Sequence, residues 1–393
     1  MTQLTKTFLL ALSFFLIGST GASADPIKPR PVPFQKGMTL ADWGANGYNP
    51  KTTENRLDQF KKSGVEWVTL LQTWMQSDIS SNQVLPGRST VPDANLLHAI
   101  RYARSIGMQV LLRPYVDVED GAWRGKISAS RPADWFRSYE KFALRYARIA
   151  QQERVGMLVF ASEMRTMSLK YPAQWSSLAE RVRKAYSGPV SYEANWDEAV
   201  QAKWLDRLDA IGVSAYNPIC SKPTTDVKTL SQGWGKWIRE MGGLSSKLRR
   251  PVLFTEIGYR PLMKTCLQPW NTSWEGALAP EAQTNAYAAS LASWWPVSWF
   301  RGTHWWAQIP AGIRPSPENH DPLQGAWGQI QKWYAKRAAG QIGTPVAVVR
   351  QTAGTTDWNL NKTPVWEHVV AGILLCMVLL GTWKWQRRKT KIA

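Results

Sequence analysis

Residues 135–164 read WFRSYEKFALRYARIAQQERVGMLVFASEM, and a change of hydrophobic period inside that stretch decides the fold class. Trp135, Tyr139, Phe142, Tyr146 and Ile149 recur at spacings of four, three, four and three, which lays one apolar face along a helix. Met157 to Ser162 is then a short continuous apolar run, the pattern of a buried strand. A helix feeding such a strand is half of a βα crossover unit, because parallel strands must be joined by helices packed on the sheet. Glu163 ends the run and sits at the strand's carboxyl end.

The same alternation recurs along the chain. Strands are predicted at Met38 to Trp43, Val65 to Leu71, Gln109 to Arg113, Met157 to Ser162, Val190 to Ala194, Ala210 to Ala215, Val252 to Thr255 and Thr303 to Ala307. Between them, TTENRLDQFKKSG predicts a helix capped by Thr and stopped at Gly64, and PDANLLHAIRYARSIG one that begins at Asp93 and stops at Gly107. Further helical faces are expected from Trp175, Leu178 and Val182; from Val200 and Trp204; from Leu230, Trp234 and Ile238; and from Trp327, Ile330 and Trp333. Eight βα units favour an α/β fold closed as a (β/α)8 TIM barrel. A doubly wound open sheet is the alternative, but ADWGANGYNP after the first strand lacks the glycine spacing of a phosphate loop.

Both ends read as targeting segments. Lys6, the apolar run Phe8 to Ile17 and ASA at Ala22 to Ala24 have the pattern of a signal peptide over residues 1–24. The barrel is expected over 27–337, a Gly/Thr/Ala/Pro-rich stalk over 338–364, a transmembrane helix over 365–385 around VVAGILLCMVLLGTW, and a basic cytoplasmic tail over 386–393. The expectation is an exported domain anchored by a C-terminal helix in membrane lipid. The net charge of +19 is scattered, which argues against a nucleic-acid partner for an exported chain. The exported pair Cys220 and Cys266 either bridge or remain two buried thiols. Four dispersed histidines and three cysteines form no metal-ligand spacing, so neither metal nor other cofactor is called for.

In a barrel, reacting groups belong at the carboxyl ends of strands. The polar residues there are Arg113, Tyr115, Asp117, Glu163, Asn195, Tyr216, Glu256, Trp305 and Trp306. Glu163 and Glu256 each directly follow an apolar run, at strands four and seven. Two carboxylates across a barrel mouth suit glycoside hydrolysis, one protonated to assist the leaving oxygen and one ionised to attack the anomeric carbon. Salt bridges to Arg165 and Arg260 are the purely structural alternative. Tyr216, Arg113 and Tyr259 are available donors to the nucleophile. Among 23 tryptophans, Trp305, Trp74 and Trp123 are expected in the cleft as flat platforms for sugar rings, with Trp306 turned toward the helices if Trp305 points inward.

The chain resembles glycoside hydrolase family 113, a clan A family chiefly of β-1,4-mannan hydrolases, through KGMTLADW, RPYVDVEDGAWRGKI, WFRSYEKFALRYA, FASEMRTM, IGVSAYNP and RPVLFTEIGYR. The resemblance implies Glu163 as acid/base, Glu256 as nucleophile, Tyr216 as the residue that orients it, and Trp305 as the strand-eight platform. Ser162 departs from the pattern, since many clan members carry there an Asn that binds the sugar 2-hydroxyl. The expectation is a retaining, endo-acting β-glycoside hydrolase on a β-1,4-mannan-like polysaccharide. The alternatives are a membrane-anchored envelope or exopolysaccharide glycosidase or transglycosylase, and a non-catalytic carbohydrate-binding barrel.

Overall fold

The computed structural model describes residues 27–308 and 320–341. The proposed signal, membrane and tail segments, and all of the proposed stalk beyond residue 341, lie outside them, and among the described residues no helix is long and apolar enough to cross a membrane. Strands β1 (Gln35–Leu40), β2 (Trp67–Gln76), β3 (Gln109–Val118), β4 (Met157–Ser162), β5 (Val190–Asn195), β6 (Ile211–Ser214), β7 (Val252–Ile257) and β8 (Phe300–Gln308) form a closed barrel in sequence order. Every pair is parallel, and β8 closes on β1. All eight predicted strands are present, with β2 and β3 running several residues further toward the mouth than their apolar runs suggested.

Helices α1 (Pro50–Lys62), α2 (Asp93–Ser105), α3 (Pro132–Gln152), α4 (Arg165–Lys170), α5 (Pro172–Ala185), α6 (Val227–Leu248), α7 (Pro280–Trp294) and α8 (Gln324–Tyr334) surround it. The α3 face read from the sequence is buried through Trp135, Tyr139, Phe142 and Tyr146. The start of α1 is corrected: the helix begins at Pro50, a residue whose fixed φ suits a first turn, rather than after a Thr cap.

A second correction concerns the link from β5 to β6, which contains only the one-turn helix Leu205–Arg207 where Val200 and Trp204 predicted an α-helix. Trp204 fills the gap itself. It is fully buried, stacks on Trp175 of α5 at 5.3 Å, and donates through Nε1 to Ser168 Oγ at 3.0 Å. One large side chain thereby covers the strand face that a helix would otherwise cover.

The third departure sets which way β8 faces. Val252 pairs with Phe300 but Phe254 pairs with Thr303, so two steps on β7 face three on β8. Gly302 sits in this bulge at φ 108°, where an added Cβ would lie 1.9 Å from the Gln35 carbonyl oxygen. The extra residue flips the inside–outside parity of the residues that directly follow it, Thr303 to Trp306. His304 therefore points into the barrel, where Gly37 leaves room for its ring, while Trp305 points out and stacks on Tyr287 of α7 at 4.1 Å.

Candidate active site

Glu256 lies on β7 close to the mouth, and two donors converge on its carboxylate. The Arg113 guanidinium on β3 reaches Oε2 at 2.6 Å, and the Tyr216 hydroxyl just past β6 donates to Oε1 at 2.7 Å. Arg113 is itself buried between Glu256 and a third carboxylate, Glu193 of β5, to which it is ion-paired. Glu193 also accepts a hydrogen bond from Ser162 Oγ at 2.5 Å. The chain Ser162–Glu193–Arg113–Glu256 thus runs from strand four to strand seven through the barrel interior.

Glu163 follows β4 in the left-handed region at φ 52°. A non-glycine residue there costs roughly 1–2 kcal/mol. The backbone N–H of Glu163 donates to the Glu193 carbonyl at 2.7 Å, which anchors that conformation. Its carboxylate meets Arg124 Nη1 at 3.0 Å and Trp123 Nε1 at 3.4 Å. Arg124 in turn binds Asp117 Oδ1 at 2.9 Å and lies over the Tyr115 ring at 4.6 Å.

Four carboxylates, Glu163, Glu193, Glu256 and Asp117, thus share two guanidinium groups. Burial is the largest influence on Glu256 and raises its pKa; Arg113 pulls it down, the charges on Glu193 and Glu163 push it up, and the Tyr216 hydrogen bond lowers it. The net direction is upward. Burial also works against the Arg113 charge, but Glu193 and Glu256 outweigh it and hold the guanidinium above its usual value. On Glu256, burial and the neighbouring carboxylates therefore work against the ionised form, while the Arg113 guanidinium and the Tyr216 hydroxyl work for it.

The structure brings together Arg113, Tyr115, Asp117, Trp123, Ser162, Glu163, Tyr216 and Glu256 from the sequence-based set. Asp117 and Tyr115 face Arg124, and the Tyr115 hydroxyl accepts from Trp43 Nε1 at 2.6 Å. Asn195 bonds Asp197 at 2.9 Å beside the site. Neither arginine proposed as a structural partner is the one found: Arg165 pairs with Asp197 and Arg260 binds the carbonyls of Asn271 and Trp274. Tyr259 faces Ser290 rather than Glu256.

Two platform expectations are corrected. Trp305 is fully buried against the helices because of the Gly302 bulge, and Trp306 takes the inward position, 5.5 Å from the Arg113 guanidinium and 6.2 Å from Trp43. Trp74 also faces outward, packed on Phe142 and bonded to Tyr146 at 2.9 Å. Surface clefts of about 480 and 660 Å³ flank it, and neither is lined by Glu163 or Glu256. Cys220 and Cys266 form a disulfide between the connections that follow β6 and β7.

Sequence reasoning missed Glu193, Arg124 and Trp43. Glu193 lies in VSYEAN, where period-two alternation would have placed it with Ser191 on one face and Asn195 at the tip. Arg124 opens the one-turn helix Arg124–Lys126 after β3, too short for any periodicity to mark its direction.

A family model described as Glycoside Hydrolase Family 113 matches residues 38–313. No curated protein sequence matches the chain. Among solved structures, a family 113 β-1,4-mannanase complex is 25% identical with a TM-score of 0.69, covering 78% of this chain and 100% of its own. The family 113 β-mannanase of Alicyclobacillus acidocaldarius is 24% identical, again with a TM-score of 0.69, over 77% of this chain and 97% of its own. A family 5 mannosidase from Rhizomucor miehei shares the fold at 10% identity and a TM-score of 0.51, over 77% of this chain and 92% of its own.

Proposed function

Because the chain belongs to glycoside hydrolase family 113 and is therefore a glycoside hydrolase, we propose that it cleaves a β-1,4-mannan-like polysaccharide internally and with retention of configuration. The observation that carries the reading is the convergence of Arg113 and Tyr216 on opposite oxygens of Glu256. Two donors favour the ionised carboxylate and fix its direction, as a nucleophile needs. Glu256 attacks the anomeric carbon as Glu163 gives its proton to the departing glycosidic oxygen. Glu163 then takes a proton from water, which attacks the same carbon and expels Glu256. Retention by this route requires carboxyl groups about 5–5.5 Å apart. The mannan assignment is supported by the β-mannanases that share the fold.

A second reading of the sugar is favoured by Ser162. Its hydroxyl is engaged by Glu193, so strand four offers the sugar 2-hydroxyl no side-chain amide. A polymer made by the same cell, trimmed by an anchored enzyme, fits that difference. One experiment separates the readings: incubate the enzyme with mannan oligosaccharides and with the host's polysaccharide, and follow the first-formed products by proton NMR. The β-anomer is expected first from mannan. First release of the α-anomer would overturn retention, and turnover of the host polymer alone would move the substrate to the second reading.

A further inference from the structure

Among the described residues two tryptophans are exposed, Trp123 and Trp270. Trp123 stands beside Glu163, whereas Trp270 lies in the loop after β7 and takes no part in the contacts around the two glutamates. It stacks on Trp196, which directly follows β5, at 5.0 Å and 26°. Trp196 is backed edge-on by Trp237 of α6 at 5.5 Å and 83°. Three tryptophans from three elements form a graded stack, buried at Trp237 and open at Trp270.

The loop beneath Trp270 is pinned on both sides. The Cys220–Cys266 disulfide fixes it four residues before, where Ile219 N–H also donates to the Cys266 carbonyl at 2.9 Å. Buried His320 donates through Nε2 to the Pro269 carbonyl at 3.0 Å, and buried Arg260 donates to the Asn271 carbonyl at 2.9 Å and the Trp274 carbonyl at 2.8 Å. The carbonyls immediately before and after Trp270 are therefore both held from inside the protein. Burial lowers the His320 pKa to about 4, which keeps the ring neutral with one N–H to give. Fixing a large ring in open solvent loses conformational entropy and buries little apolar area, whereas a pre-fixed ring lowers the entropic cost of binding.

We propose that Trp270, stacked on Trp196, is a platform for the leaving-group side of a β-linked polysaccharide, set in place by the Cys220–Cys266 bridge. The side follows from topology: Trp196 leaves the end of β5, the strand paired with β4, and Glu163 at the end of β4 protonates the leaving group. The ligand class follows from the surface, a flat apolar ring that matches the C–H face of a neutral sugar. The inference rests on the proposed hydrolase reading of Glu163 and Glu256.

The test compares a β-1,4-linked mannohexaose with β-mannobiosyl fluoride, which has no sugar on the leaving-group side. Trp270→Ala should lower kcat/KM on the hexasaccharide roughly 3- to 10-fold through KM, the size of one ring contact, with the fluoride unaffected. Trp270→Phe should recover most of the loss. The Cys220→Ser/Cys266→Ser pair should weaken the hexasaccharide in the same direction, with thermal melts checking that each variant is folded. Equal rates for Trp270→Ala and the parent on both substrates, or equal losses on both, would overturn the platform. A parent enzyme inert on both substrates would instead overturn the mannan reading, and with it the platform's ligand.

Discussion

The barrel interior holds two polar layers with opposite logic. In the lower one, His304 Nε2 meets Gln35 Oε1 at 2.6 Å, its Nδ1 meets Thr69 Oγ1 at 2.7 Å, and Gln35 Nε2 donates to Met157 Sδ at 3.1 Å. Burial, reinforced by the Arg113 charge, lowers the His304 pKa to about 3, so the ring is neutral. Gln35 Oε1 can only accept, which places the proton on Nε2 and leaves Nδ1 to accept from Thr69. The upper layer is charged: Arg113 and Arg124 hold Glu193, Glu256 and Glu163. A neutral chain whose members satisfy one another specifies a structure. Carboxylates that remain partly exposed after receiving their donors can still act on a substrate.

The most severe way to break the upper layer is to remove its nucleophile. Glu256→Ala should lower kcat by about 10⁴-fold or more, measured on mannan oligosaccharides, and leave the melting transition in place. Glu163→Ala should lose about 10²–10⁴-fold on natural linkages. Its loss in kcat/KM, which reports formation of the glycosyl-enzyme and not its hydrolysis, should be much smaller on a substrate with an acidic leaving group, which departs without a proton. Equal losses on both substrate types would remove Glu163 from the acid role.

The two layers were not equally legible in the sequence. Glu163 and Glu256 could be found because each ends a continuous apolar run, where a charge is conspicuous, and the barrel was legible because helical and strand periods alternate. The lower layer left no comparable sign. His304 and Gln35 are single polar residues in strands, and their partners come from β1, β2, β4 and β8, which only the closed ring brings together. The orientation of Trp305 and Trp306 was illegible for a sharper reason. One residue inserted at Gly302 reverses the parity of the strand, and the sequence shows only a glycine. Trp204 misled through its period, since its own bulk fills the place of the helix it suggested.

A milder change asks whether Glu193 is a positioning residue or only a counter-ion. The Glu193→Gln variant keeps the shape and a hydrogen-bond acceptor for Ser162 but removes one negative charge near Glu256. That charge helps raise the Glu256 pKa, so its loss favours the carboxylate. The acid limb of kcat/KM should move to lower pH, with kcat reduced roughly 10-fold as Arg113 loses one of its two fixed points. A purely structural role would change the melting temperature and leave the acid limb where it was.

The smallest effect on chemistry belongs to the lower layer, where His304→Gln should leave kcat at neutral pH within about twofold, since no reacting atom is touched. The cost appears in stability, about 1–3 kcal/mol from disturbed partners at Gln35 and Thr69. The pH dependence gives the more specific reading. His304 is pushed down to about 3 in the fold, whereas an unfolded histidine titrates near 6.5. Between those values the unfolded chain binds the extra proton, so His304 makes stability fall as pH drops below about 6.5 and leaves it unaffected above. Denaturant midpoints at pH 7.5 and pH 5 should therefore differ more for the parent than for the His304→Gln variant. His320, lowered to about 4, imposes the same slope in both proteins and cancels in the comparison. Equal slopes would mean that burial does not hold His304 neutral in the fold.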